Sequence, residues 1–402
     1  MDPIRNPYAP GAGTRPPEMV GRDDLRETAR IAIERIRLGR PSKSIVMVGL
    51  RGVGKTVLLD QISEDAEVSG VLVLRIEAPE QRSLPSIIAP QLRTALIRLS
   101  NRQAVRAQAQ RALRALAGFV SALKVKYQDI EVGLDFEPEP GLADNGDLEI
   151  DLQDLFEAAG VAARADSSCV ALFIDELQYV QEDQLAALIT ALHRAAQRQL
   201  PVTMVGAGLP QLRGAMGNAK SYAERLFDFP EIGPLSLSDA RLAISKPALN
   251  EGVEIEAAVL DAVVDRTEGF PYFLQIWGKH LWDVAKRSPI TEASFAPATA
   301  QAIADLDQSF FLVRFDRLTP LEKRYLRAMA DLGAGPHRSG DISQVMQRSV
   351  RSLAPTRANL IRKGMIWSPS HGDTAFTVPM FNEFMLRTVE PREWRQNGRA
   401  DV

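Results

Sequence analysis

The stretch Gly49-Leu50-Arg51-Gly52-Val53-Gly54-Lys55-Thr56 decides how this chain is read. An apolar run, Ile45-Val46-Met47-Val48, precedes it, and Val57-Leu58-Leu59-Asp60-Gln61-Ile62 follows with helical rather than alternating spacing, so the local order is strand, loop, helix. Gly49, Gly52 and Gly54 let backbone N–H groups turn inward around a polyphosphate, and a helix starting near Lys55 aims its positive dipole end at the same charge. Lys55 would then reach the β- and γ-phosphates and Thr56 would ligate Mg²⁺. The expected nucleotide-binding set is Gly49, Gly52, Val53, Gly54, Lys55, Thr56 and Val57. The bland alternative, a glycine turn that only joins strand to helix, does not call for the full eight-residue pattern in this context.

A second apolar run, Val170-Ala171-Leu172-Phe173-Ile174, has the character of a strand buried on both faces of a parallel sheet, and it ends in Asp175-Glu176. This is the Walker B arrangement that accompanies such a loop. Asp175, at the carboxyl end of the strand, can hold Mg²⁺ directly or through water, and Glu176 can polarise a water for in-line attack on the γ-phosphate. The alternative is a surface acid pair after a strand. No Asn-Lys-x-Asp guanine reader occurs downstream, so ATP with Mg²⁺ is the expected cofactor pair. Leu177-Gln178-Tyr179 lead on to a helix over about 182–197.

A chain of 402 residues can bury at least one large core, and its length suggests two or three domains. A net charge of −3 excludes no class of partner, because a near-neutral total can hide local asymmetry. The single cysteine, Cys169, excludes an internal disulfide framework and is expected as a small buried residue beside the strand; no His/Cys cluster has zinc spacing. The opening Met1-Asp2-Pro3-Ile4-Arg5-Asn6-Pro7 has no apolar signal core, and no stretch reaches the roughly eighteen apolar residues of a membrane span. A cytoplasmic protein without a membrane partner is expected.

Residues 6–17 are rich in Pro and Gly, and 1–19 are expected as an extended lead-in unable to pack on its own. From Val20-Gly21-Arg22-Asp23 an amphipathic helix runs to about Leu38. Strands are expected near 44–49, 71–77, 170–175, 201–206 and 229–234 with helices between them. That alternation gives the fold class: α/β, a doubly wound parallel sheet over 20–235. An unusual stretch, about 100–152, interrupts it. Arg102, Arg106, Arg111 and Arg114 lie on an alanine-rich, helical segment. Asp129, Glu131, Asp135, Glu137, Glu139, Asp144, Asp147, Glu149 and Asp151 then follow without one Lys or Arg among them. The stretch is either a solvated insertion whose two parts neutralise each other, or a regulatory flap or partner-docking element.

With the phosphate loop, Asp175-Glu176 and Val20-Gly21-Arg22-Asp23 in hand, the chain resembles AAA+ P-loop ATPases, particularly the origin-recognition-like group, over about residues 6–387. The resemblance implies that Val20, Gly21 and Arg22 lie beside the adenine, although an ordinary helix start capped by acids would also explain them. It implies an arginine finger at Arg225, in Tyr222-Ala223-Glu224-Arg225-Leu226-Phe227, acting on the γ-phosphate bound by a neighbouring subunit. The expected catalytic set is then Glu176, Lys55 and Arg225, in a homo-oligomer or with a protein partner; a plain surface arginine is the alternative for the last. Two departures from the family pattern stand out. The fourth strand ends Met204-Val205-Gly206-Ala207-Gly208, without the polar sensor-1 residue, and Gly269-Phe270-Pro271-Tyr272-Phe273 replaces the sensor-2 arginine with something similar to the Gly-x-Pro lid of signalling STAND ATPases. Both imply a slow ATP switch rather than a fast motor. A helical lid is expected over 236–295, with a linking helix over 296–318.

The last region, 319–390 ahead of a tail at 391–402, carries its own pattern. Thr319-Pro320-Leu321-Glu322 opens a helix with a Thr cap and Pro at its first position, and a second short helix spans 340–347. Pro355 opens a third helix through Lys363, Gly364 closes it, and Met365-Ile366-Trp367 and Ala375-Phe376-Thr377-Val378 flank the turn Ser370-His371-Gly372-Asp373. Three helices and a hairpin make a winged helix-turn-helix. Arg348, Arg351, Arg357, Arg362 and Lys363, against the single acid Asp341, offer phosphate neutralisation, and Thr356, Arg357 and Asn359 could reach base edges in a major groove. Double-stranded DNA is therefore the expected partner, under nucleotide control. The alternative is a STAND-like switch whose winged helix docks a protein. Val205-Gly206-Ala207-Gly208-Leu209-Pro210 also looks like transposition-associated AAA+ proteins.

Overall fold

The computed structural model describes residues 1–390 apart from 12, 79–81, 131–132 and 134–135; the acidic positions Glu131 and Asp135 and the tail at 391–402 lie outside the described residues. The chain divides into two compact units. A sheet unit comprises Gly21–Gly49 and Gly54–Ile232, and a helical unit comprises Met1–Val20, Leu50–Val53 and the chain from Gly233 onward. Among the described residues no helix is long and apolar enough to cross a membrane.

The sheet unit runs α1 (Asp23–Arg37), β1 (Ser44–Val48), α2 (Lys55–Val68), β2 (Leu72–Glu77), α3 (Leu84–Ser100), α4 (Arg106–Leu123), α5 (Leu148–Ala165), β3 (Val170–Asp175), α6 (Glu182–Gln197), β4 (Val202–Gly208), α7 (Leu212–Ala219), α8 (Ala223–Leu226) and β5 (Phe227–Asp228). The five strands stand in the order β2-β3-β4-β1-β5 and every pairing is parallel. Alternate residues, among them Val46, Leu74, Leu172 and Met204, join one core cluster with α3 to α6. The intervening Ile45, Met47, Phe173 and Val205 are equally buried, as a parallel sheet covered on both faces requires.

Two expectations change here. The fifth strand is Phe227–Asp228 rather than 229–234, because Pro230 has no N–H to give to a ladder; beyond it only a bridge between Val48 and Glu231 continues the pairing. The helical part of the stretch over 100–152 is not solvated on all sides, whereas most of the described residues over 133–147 are exposed. Ala109, Ala112, Leu113, Leu116, Phe119 and Leu123 put an apolar stripe of α4 into the core, opposite the arginines. Asp147 caps α5, so Glu149 and Asp151 belong to its first turn, and Asp151 is fully buried, accepting from the N–H groups of Asn145 and Gly146 at 2.9 Å each. Charge neutralisation survives locally, with Arg111 and Arg114 both donating to Glu139 at 3.1 and 3.3 Å.

In the helical unit α9 (Leu237–Asn250), α10 (Ala257–Thr267) and α11 (Pro271–Val284) form three packed helices. The N-terminal residues, expected as an extended lead-in unable to pack on its own, pack against these helices. Tyr8 is 5% exposed, its hydroxyl donates to the carbonyl of Ile244 at 2.5 Å, and its ring occupies the space a Cβ at Gly278 would need. Asn6 donates to Asp283 at 2.8 Å and Trp282 Nε1 to the Asp2 carbonyl at 2.8 Å. The tryptophan and tyrosine, rather than any regular element, anchor this segment.

The linking segment is α12 (Phe295–Asp305), a π-helical turn at Leu306–Phe311, and α13 (Leu312–Phe315). The π-turn presents Phe310 and Phe311 on different sides: Phe310 lies between Tyr272, stacked at 4.9 Å, and the Arg314 guanidinium at 3.9 Å, while Phe311 packs on Phe381 and Phe384. Next come α14 (Pro320–Asp331), β6 (His337–Arg338), α15 (Ser339–Met346), α16 (Val350–Arg362), β7 (Ile366–Trp367), β8 (Asp373–Phe376) and α17 (Phe381–Thr388). The strands form an antiparallel sheet in the order β6-β8-β7. Thr319 and Glu322 make a reciprocal capping box on α14. The third helix begins at Val350, not at Pro355: the Ser349 hydroxyl caps it by accepting from the N–H of Ser352 at 3.2 Å. Pro355 sits inside the helix, where it removes one donor to the turn before.

Candidate functional site: a phosphate loop facing a buried carboxylate

Gly52 and Gly54 hold φ values of +82° and +87°, which side chains with a Cβ rarely adopt, so the loop's turns require glycine. Gly54 is the residue from which α2 springs, leaving the first N–H groups of that helix at the loop. Lys55 and Thr56 are its first two residues and Val57 lies in the same turn. Lys55 is 8% exposed and its ammonium donates to the Gly49 carbonyl at 3.0 Å, so the chain curls back over its own charge. The Thr56 hydroxyl donates to Asp175 Oδ2 at 2.6 Å, and Asp175 Oδ1 accepts from the N–H of Glu176 at 2.8 Å. The structure therefore brings Lys55, Thr56, Asp175 and Glu176 together within the sheet unit, at the carboxyl ends of β1 and β3.

The electrostatics follow from burial. Asp175 is 8% exposed, and loss of solvation pushes its carboxyl above the usual range; the Thr56 hydroxyl and the Lys55 charge oppose that rise and the Glu176 charge adds to it. A buried carboxylate and a hydroxyl in contact form a hard oxygen donor pair, which fits a Mg²⁺ ion. Thr56 and Asp175 are the residues that would hold it.

Glu176 has a left-handed backbone, φ 50° and ψ 37°, uncommon for a residue with a side chain. Its carboxylate accepts from the side-chain amide of Gln178. The Gln178 carbonyl in turn accepts from the N–H of Leu209 at 3.0 Å, just past β4. Sequence reading passed over Gln178; the signal was present in the glycine end of β4, because a Cβ at Gly208 would come within 2.6 Å of Gln178 Oε1.

The remaining expected residues are placed as follows. Leu50–Val53, the tip of the loop, clusters with the helical unit; there the N–H of Tyr272 donates to the Gly52 carbonyl at 3.1 Å and the N–H of Arg51 to the Thr377 carbonyl at 3.1 Å. Gly269, at φ +71°, is required because a Cβ would meet the Leu235 carbonyl at 2.8 Å, and Pro271 is the first residue of α11. Val20 ends the first segment of the helical unit, Gly21 opens the sheet unit at φ +70°, and Arg22 is the N-cap of α1. Arg225 is exposed on α8, immediately before β5.

The basic C-terminal face is smaller than its sequence suggests. Thr356 is 7% exposed and points into the module. Arg357 is half-buried, donating to Thr374 Oγ1 at 2.9 Å, Ser368 Oγ at 2.9 Å and the Asp373 carbonyl at 2.7 Å. Lys363 donates to Glu322 at 2.7 Å and to the Arg317 carbonyl at 3.0 Å. Of these three, all expected to touch nucleic acid, Thr356 lies with Leu353 and Leu360 on the buried side of α16; Arg357 ties that helix to the hairpin, and Lys363, exposed just past its end, ties it to α14. Arg351, Asn359 and Arg362 are exposed and Arg348 is half-exposed.

Compared with known proteins, residues 18–205 match the AAA ATPase domain and residues 308–385 a domain of unknown function (DUF8462). No curated protein matches the chain. In three dimensions it is similar to the Walker-type ATPase PABY2304 of Pyrococcus abyssi, at 16% identity and TM-score 0.57 over 92% of this chain and 97% of that one. Weaker likenesses are the RuvB Holliday junction branch migration motor of Thermotoga maritima, at 15% identity and TM-score 0.42 over 92% of this chain and 96% of that one, and the Aeropyrum pernix ORC1 protein in complex with DNA, at 14%, 0.46, 92% and 93%. The nucleotide-binding part of the chain is an AAA+ P-loop ATPase domain.

Proposed function

We propose that this AAA+ ATPase domain binds Mg²⁺ and ATP, hydrolyses ATP slowly, and through its nucleotide state governs how a C-terminal winged helix-turn-helix engages double-stranded DNA. The observation that carries the reading is the meeting of Lys55, Thr56, Asp175 and Glu176 at the strand ends beyond a glycine-turned loop. Lys55 can exchange the Gly49 carbonyl for phosphate oxygens. Thr56 and Asp175 would hold the cation, which when bound would offset charge on the β- and γ-phosphates. Glu176 orients a water whose oxygen bonds to the γ-phosphorus as the bond to the bridging oxygen breaks; the electron pair leaves with ADP and the water's proton passes to the carboxylate.

Val20-Gly21-Arg22-Asp23 supports kinship with the origin-recognition-like group, and the exposure of Arg225 supports an arginine finger acting across a homo-oligomeric boundary. Arg351, Arg362 and Arg348, with Asn359, are the residues we assign to DNA. A second reading, a STAND-like switch that docks a protein, is favoured by the Gly269-Phe270-Pro271 lid and by the internal commitment of Thr356, Arg357 and Lys363. Duplex DNA binding across a salt series, with ATP, ADP or neither and with a Lys55→Ala control, separates the two. Salt-sensitive binding that responds to nucleotide only when Lys55 is present supports DNA control, and absence of binding in every state supports the protein-docking switch.

A further inference from the structure

We propose that Gln178 is the positioning residue of Glu176, holding its carboxylate from the loop after β3; the inference rests on the ATPase reading above. Four observations converge on the amide. Its nitrogen donates to Glu176, its oxygen accepts from the Leu209 N–H at 3.0 Å, and Gly208 leaves open the space its oxygen fills. The fourth is the left-handed backbone of Glu176, φ 50°, which must be held by its surroundings.

The amide cannot rotate without losing both partners. An oxygen facing the carboxylate would repel it, and a nitrogen facing Leu209 would set donor against donor, so one orientation is selected. Gln178 thus links the carboxylate to the end of β4 by two hydrogen bonds, one of them to a charged acceptor. It touches neither phosphate nor water in this role. It fixes the orientation of the Glu176 carboxylate.

The test uses the full chain and compares Gln178→Ala and Gln178→Glu with the unaltered protein, each also in a Glu176→Gln background. Steady-state ATP turnover and the Kd for ADP are measured. Loss of an orienting partner should lower kcat about tenfold or more, with the ATP KM and ADP Kd changed less than about twofold. Gln178→Glu keeps size but removes the donor and should be no better than Gln178→Ala. In the Glu176→Gln background neither change should lower kcat further, because the group being positioned is no longer a base. Wild-type kcat in both single variants, or a loss that persists undiminished in the double variants, overturns the inference alone. Unaltered protein that binds ADP yet shows no turnover dependent on Glu176 overturns the ATPase reading and the inference with it.

Discussion

Arg357 offers the sharpest separation between a residue that builds the C-terminal module and one that reads DNA. Replacing it with Ala removes three hydrogen bonds from a guanidinium to Thr374, Ser368 and Asp373. Thr374 is fully buried, so its hydroxyl loses a partner that water cannot replace, whereas Ser368 is exposed and can turn to solvent. A hydrogen bond to a charged group contributes roughly 1.5–3 kcal/mol net; taking the buried one in full and the other two at about half gives a loss of about 3–6 kcal/mol. Urea denaturation of Arg357→Ala should show it, and hydrogen exchange should speed up in β7 and β8 before α9 to α11. Arg351→Glu with Arg362→Glu should do the reverse, leaving stability within about 0.5 kcal/mol while DNA affinity and its salt slope fall. Unchanged stability in Arg357→Ala, together with a salt slope reduced by about 1, would refute the reasoning and return Arg357 to the phosphate-contacting face.

Three further outcomes are expected. Lys55→Ala should abolish the thermal stabilisation conferred by Mg²⁺ and ATP, which for the unaltered protein amounts to about 2.7 kcal/mol at a ligand concentration a hundredfold above Kd. Gly278→Ala should displace the Tyr8 ring, cost about 1–3 kcal/mol, and open residues 1–20 to limited proteolysis. Glu383 accepts from Arg266 at 2.9 and 2.6 Å, and that hydrogen bond holds its carboxyl below the usual range. A depressed folded value means stability present above the ordinary carboxylate range and lost as pH falls through the folded value. Glu383→Gln should therefore lower the melting temperature at pH 7, with the gap to the unaltered protein closing as pH falls below the ordinary carboxylate range.

The parallel sheet was legible because its strands are continuous apolar runs and its loop has a fixed spacing of glycines, features that local sequence alone carries. Lys55, Thr56, Asp175 and Glu176 were readable as chemistry for the same reason, but their contact across 119 positions of sequence was not. The stretch around α4 misled because the charges of Arg106, Arg111 and Arg114 drew attention from the alanines and leucines between them, which form the buried stripe. Thr356, Arg357 and Lys363 misled for the converse reason. Starting the helix at Pro355 left out Leu353, so Leu353, Thr356 and Leu360 were not seen as one inner face of α16. Gln178 escaped notice because its meaning depends on a glycine thirty positions away.

The π-turn at Leu306–Phe311 amounts to one residue more than an α-helix would hold over the same length. Its consequence is a strict dependence on chain length that composition does not carry. One residue deleted inside the turn would only return it to an α-helix, but one deleted from α12 would turn everything after it by about 100°. Phe310 would leave Tyr272, while Arg314, Phe381 and Phe384 would turn with the phenylalanines they touch. Substitutions along α12 and α13 can be many and mild, whereas a single-residue deletion breaks the phase between the lid and the C-terminal module. Homologues that keep this coupling should therefore conserve the count of residues from Pro271 to Phe381 more tightly than their identities.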